Sequence, residues 1–124
     1  MTASGFTSQG SYSPDNLIAG EFPRVARKVT IASGANLVAG AVIGKITASG
    51  KYILSASAAV DGSQTPDAIL AEDAAAASTD VEAIVYFSGE FNELALTYGV
   101  GHTANSVRDT LRDKSILLTK NQGA

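Results

Sequence analysis

The stretch from Ala68 to Leu96, AILAEDAAAASTDVEAIVYFSGEFNELAL, is what any fold of this chain has to accommodate first. Residues 68–71 are an apolar run long enough for one short buried strand. An alanine, serine and acid loop follows, and residues 81–87 then form the longest run of β-branched, aromatic and aliphatic side chains in the sequence. Short apolar runs of this composition, bounded by turn residues, read as strands rather than helices. Ser88-Gly89 breaks the run, and Glu90-Phe91-Asn92 resumes it after a bulge or tight bend. Eight carboxylates lie from Asp61 to Glu93 without one Lys or Arg among them. The expected centre is a buried strand pair wrapped in acidic loops, with no catalytic group standing out in it.

At 124 residues the chain makes one domain. A domain of this size buries roughly two-thirds of its unfolded surface, enough for a core but not a generous one. Much of the 45% hydrophobic content is alanine, with only four Phe, four Tyr and no Trp. Alanine buries little area, so at about 25 cal/mol per Å² the burial term grows slowly. Such a core gains from subunit contacts, and oligomerisation is expected on physical grounds. The net charge of −3 argues against an electrostatically driven nucleic-acid binder. Zero Cys excludes a disulfide scaffold and cysteine-ligated metal. No apolar stretch reaches the roughly 20 residues of a membrane span. The first residues lack both the basic region and the apolar stretch of a signal peptide, so the chain is expected to start near Met1 and remain soluble.

Residues 1–13, MTASGFTSQGSYS, carry no charge and too little apolar surface to order themselves. They read either as a frayed terminus or as an arm that docks by strand addition through Phe6 and Tyr12. Residues 13–16 form a turn by their chemistry, and 20–23 a second break. Residues 24–31, RVARKVTI, alternate partly and predict a half-buried strand. Residues 33–36 are a turn. Residues 37–46, LVAGAVIGKI, predict a strand interrupted by Gly40 and Gly44. Residues 47–50 turn the chain into a β-hairpin with 51–55. Near the end, 99–102 is a loop, and Asn105 or Ser106 caps a helix over 107–114. Val107 and Leu111 share one face of it, and Asp109–Arg112 pair across a turn. Residues 116–118 close the fold as a strand. The sum is a mainly β, α+β domain with one short C-terminal helix. The segment from Arg24 to Lys51 holds five cations and no acid. This basic half and the acidic half are either two solvated faces or the two sides of a head-to-tail subunit contact.

Three constellations invite a catalytic or metal reading. His102, Ser106 and Asp109 fall at helical spacing, but no nucleophile elbow surrounds Ser106, and capping explains Ser and Asp better. Asp61, Ser63, Thr65, Asp67 and Glu72 match a calcium-loop spacing, yet Pro66 occupies the position that needs a sharp glycine turn. Glu72 and Asp73 are adjacent, so in a strand they point apart. No enzyme activity, cofactor, metal or small-molecule substrate is expected.

The chain resembles the lambdoid phage head decoration proteins, the D-type capsid-stabilising family. The likeness rests on Pro14-Asp15-Asn16-Leu17-Ile18-Ala19-Gly20 with Phe22-Pro23, on Gly40 to Thr47, and on Gly50-Lys51-Tyr52. It continues through Asp61 to Pro66, Ala68 to Ala71, Gly89 to Asn92 and Leu111-Arg112 to Leu118. It spans nearly everything from Pro14 onward and is strongest to the longer, Pro-Asp-Asn-containing branch. The resemblance implies a β-rich domain at 21–124 behind a flexible arm at 1–20. It implies a homotrimer on the outer face of the expanded virion head, bound to the major capsid protein and resisting the pressure of packaged DNA. Nucleic acid, membrane and small molecules are not its expected partners. The resemblance favours the docking reading of the arm, with Phe6, Tyr12, Pro14, Asn16, Leu17 and Ile18 as capsid contacts. Arg24, Arg27, Lys28, Glu90 and Glu93 are the candidates for the subunit interface. The competing classes are a stand-alone ligand-binding β-barrel and a metal- or carboxylate-dependent hydrolase.

Overall fold

A computed structural model of the chain describes residue 18 and residues 23–119. Eight strands and one helix are arranged as β1 (Val25–Ile31), β2 (Ala35–Leu37), β3 (Val42–Lys45), β4 (Tyr52–Leu54), β5 (Pro66–Leu70), β6 (Ala74–Ala76), β7 (Val81–Asn92), α1 (Ala104–Arg112) and β8 (Ile116–Thr119). A single 3-10 turn, Glu93–Ala95, follows β7. The main sheet runs β1-β4-β3-β5-β7-β8, and β1 also pairs with β7. Five strands therefore close a ring, β1-β4-β3-β5-β7 and back to β1. The mainly β expectation with one short helix near the C-terminus is what the chain adopts.

The ring explains the continuous apolar runs. Alternate side chains of a strand face opposite sides, and here both sides are buried. Ala68 and Leu70 of β5 join Ile31, Ile43, Tyr52, Ala83 and Val85 in a first core that draws on all five ring strands. Ile69, between them, faces the other way into a second core with Val42, Phe91, Leu96, Val107, Leu111 and Ile116. Helix α1 covers that side through Val107 and Leu111, the two residues its periodicity singles out. The first core is narrow and rich in alanine: Ala41, Ala68, Ala74, Ala76 and Ala83 are all buried.

Strand β7 runs through both cores. Val85 faces the first, whereas Phe91, six residues on and hence of the same parity, lies in the second. The strand turns over between them at Ser88-Gly89, where Gly89 has a φ of +145°. The break expected there is thus a reversal of faces within one continuous strand. The bulge sits one residue earlier. Val25 pairs with Ser88 and Ala26 with Tyr86, which leaves Phe87 as the extra residue, packed edge-on against Tyr52.

Four expectations need correction. The loop at 71–80 contains β6, which pairs antiparallel with β2, so Ala35-Asn36 are strand rather than turn. Residues 37–46 are not one interrupted strand. A turn at Ala39-Gly40 separates the end of β2 from β3. The helix starts at Ala104 with Thr103 as N-cap, and Ser106 completes a reciprocal capping box with it. It ends at Arg112, short of Lys114. The 43–54 hairpin forms as predicted, pairing Ile43 with Leu54 and Lys45 with Tyr52.

Candidate functional site

The residues expected to dock the arm divide sharply. Phe6, Tyr12, Pro14, Asn16 and Leu17 lie outside the described residues. Ile18 is described. It forms an isolated antiparallel bridge with Phe91 and packs half-buried on the second core. The entry of the chain is thus fixed to the far end of β7. Strand β1 begins a few residues later beside the same strand. There Ser88 Oγ accepts from Val25 N–H at 3.0 Å and donates to the Pro23 carbonyl at 2.9 Å. Arg24 lies across Gly89 so closely that a Cβ on the glycine would stand 2.9 Å from Arg24 Cγ and from Phe91 Cζ. The positive φ and this crossing both require glycine there.

The interface candidates are not equivalent. Arg24, Arg27 and Lys28 are exposed. Arg27 stands opposite Val85 and Lys28 opposite Ile84, and neither has an ion partner among the described residues. Glu90 is half-buried, opposite Leu117 of β8. Glu93 is only 8% exposed and binds Arg108 of its own chain at 2.7 Å. The carboxylate raises the Arg108 guanidinium above its ordinary range through that hydrogen bond. Tyr98 donates its hydroxyl to the Glu93 carbonyl at 2.7 Å, and burial, with Glu93 nearby, pushes its phenol up to about 12.

Among the described residues one ion pair joins the basic and acidic segments within the chain, Lys51 Nζ to Asp80 Oδ2 at 2.5 Å. Asp80 also accepts the Ser33 N–H at 2.8 Å. The Lys51 hydrogen bond first, then the backbone N–H, lowers its carboxyl below the usual range. Asp67 accepts from Tyr52 Oη at 3.1 Å and binds Lys114 at 3.1 Å.

The tempting catalytic set is only partly assembled. His102 Nδ1 lies 3.1 Å from Ser106 Oγ, but Asp109 turns away to Arg112 at 3.4 Å. Ser106 Oγ accepts from Thr103 N–H and donates to the Thr103 carbonyl, which is cap chemistry. On its other side His102 Nε2 is 3.1 Å from the Gln64 carbonyl and 3.2 Å from the buried Ser55 hydroxyl. His102 thus pins two loops to the start of α1. The calcium-like spacing does not converge either. Asp61 caps its own turn, accepting from Ser63 N–H at 3.0 Å and Ser63 Oγ at 2.6 Å, and the hydroxyl bond lowers its carboxyl. Glu72 accepts the Ile84 N–H and Asp73 the Ala39 N–H, so these neighbours point to different elements. Among the described residues no three His, Cys, Asp or Glu side chains gather as a metal site.

These groups share a structural role, since each braces a loop or strand end. Sequence reasoning missed the Glu93–Arg108 pair, because a separation of 15 residues across a strand end and a helix leaves no spacing signal. It also missed the uneven pairing of β1, which only the closed ring reveals. The family model described as Bacteriophage lambda head decoration protein D matches residues 7–115 of the chain. No curated protein matches it.

Proposed function

The chain belongs to the bacteriophage lambda head decoration protein D family, and from that premise we propose that it binds the outer surface of the expanded head as a homotrimer and stabilises the shell against packaged DNA. A decoration protein sits on the virion capsid as a structural component, and its work is binding. The family match across residues 7–115 carries this reading. The polar groups described above support it, since they brace the fold rather than converge on a substrate.

Binding that favours the expanded shell over its other states stabilises it by linkage. A trimer multiplies weak contacts because its arms engage together. In this reading residues 1–20 are the capsid-binding arm and 21–124 the decoration domain. Phe6, Tyr12, Pro14, Asn16, Leu17 and Ile18 make the capsid contacts. The interface between copies draws on Arg24, Arg27, Lys28, Glu90 and Glu93.

The test is to mix the protein with expanded, undecorated heads, image them by negative stain, and follow DNA release on heating. Added density at threefold positions and release at a higher temperature are expected. Heads that stay bare would refute the proposal. Decorated heads with unchanged release would remove the stabilising role.

A further inference from the structure

Strand β1 pairs with β7 along its whole length but with β4 only at its last residue. There Ile31 faces Tyr52, and Ala32 N–H donates to the Tyr52 carbonyl at 2.8 Å. That bond fixes the direction of the rest. In a strand the N–H and C=O of successive residues point alternately to the two sides. Ala32 points toward β4, so Thr30, Lys28 and Ala26 do as well. Val25 agrees, because its N–H goes to Ser88 on β7. Beyond Ile31, no strand among the described residues pairs with this side of β1. The parallel bridge also takes the Thr30 carbonyl, so the Thr30 N–H and the full donor–acceptor sets of Lys28 and Ala26, about 7 Å apart along the strand, are left open.

The side chains say what kind of strand fits. Arg27 stands opposite Val85, an inward-facing residue, so Arg27 occupies an inward position and is nevertheless exposed. The ring gapes there. An inward charge on an edge repels apolar strands and admits one that brings a carboxylate. Of the eight described cations, Lys51, Arg108, Arg112 and Lys114 have a carboxylate partner. Two of the other four, Arg27 and Lys28, stand on this strand.

We propose that the open edge of β1 receives the acidic segment of a second copy, centred on β6 with Glu72 and Asp73, exposed and without a cation partner among the described residues, beside it. Strand β6 pairs with β2 alone, so it too has an edge without a strand partner among the described residues, and Ala75 at its middle is exposed. Charge complementarity chooses the occupant, since residues 61–93 hold eight acids and no cation. The two patches differ, which makes the contact head-to-tail, and such a contact closes when the rotation between copies is threefold. The inference rests on the homotrimer proposed above.

Sedimentation equilibrium of the full chain over a concentration series compares wild type with Ala26→Pro, Arg27→Glu and Lys45→Glu. Ala26→Pro deletes one outward N–H without changing charge, at an edge position that tolerates proline. Arg27→Glu reverses the inward charge. Lys45→Glu makes the same change in net charge on β3 and serves as control. A trimeric wild type, association weakened about tenfold or more in the first two variants, and an unchanged control are expected. Equally tight trimers in all three variants would overturn the edge contact and leave the trimer standing. Loss with Ala26→Pro but not Arg27→Glu would overturn the acidic occupant. A wild type monomeric throughout would overturn this contact between free copies and leave the trimer proposed on the head standing. Variants that trimerise normally but no longer bind expanded heads would give the edge to the capsid protein and overturn the contact between copies.

Discussion

The ion pair between Glu93 and Arg108 has one buried and one accessible member, and the two ends are not interchangeable. Glu93 is 8% exposed and Arg108 36%. Removing the arginine strands a buried carboxylate, whereas removing the carboxylate leaves a guanidinium that water can reach. Arg108→Ala is expected to lower stability in urea denaturation more than Glu93→Gln does. Equal costs would contradict the asymmetry. A cost that varied with protein concentration would show that Glu93 also contributes to the proposed subunit interface. The tyrosines give a second residue-level test. Burial first, then Asp67, pushes the Tyr52 phenol from 10.0 to about 12, and Tyr98 is likewise raised to about 12. The folded chain therefore holds both phenol protons where the unfolded chain has lost them. Their contribution is complete below about pH 10 and is lost as pH rises through about 12. The melting temperature should fall steeply across that window, and Tyr52→Phe should flatten part of the fall. A Tyr52→Phe profile parallel to wild type would refute the assignment. Neither result was legible beforehand, because both depend on side chains brought together from distant segments.

Strands announce themselves through side chains that differ from their neighbours, which is why β7 and the 43–54 hairpin were readable and β6 was not. Ala74-Ala75-Ala76 shows no alternation and little β-propensity. It is a strand because it pairs with β2 and packs Ala74 and Ala76 into the narrow first core. The helix was readable from Val107 and Leu111, but its start was displaced. A Thr103–Ser106 capping box lacks the usual Glu or Gln. Gly44 is the other place where an element depends on what lies beside it. It reads as a weak spot in a strand, and in the fold it is a point of contact. A Cβ there would collide with the Ser63 carbonyl and stand 2.8 Å from the Thr65 carbonyl oxygen, both backbone atoms that cannot rotate aside. Gly44→Ala should therefore destabilise by about 1–3 kcal/mol, the range for overpacking, with β3 and the 61–65 turn losing amide-exchange protection together. A variant that melts with wild type would show that the turn yields freely.

At the scale of the whole molecule the closure of the ring was not legible, since pairing β1 with β7 joins Ile31 to Val81 even at its near end and no local pattern encodes it. The proposed arm rests on the sequence, where residues 1–13 carry no charge and little apolar surface. Ile18 is the first described residue, and it already contacts the second core through Phe91. Deleting residues 1–13 therefore leaves every described core contact in place, and the melting transition should stay within error of wild type. Head binding should respond differently if the arm docks. Ordering it costs about 1–2 kcal/mol per backbone residue, which backbone pairing along the capsid and burial of Phe6 and Tyr12 must exceed. The surplus per arm is small, but three arms on one trimer multiply it. The truncated chain should therefore lose affinity for expanded heads by orders of magnitude. Phe6→Ala and Tyr12→Ala should each reproduce part of that loss, and Ser8→Ala should not. A head-binding titration beside a melting curve for each variant separates the cases. Truncated protein that decorates heads as tightly as the full chain would show that capsid affinity resides in the globular face. The exposed cations of β1 and the valines at 60 and 100 would then be the first surfaces to probe.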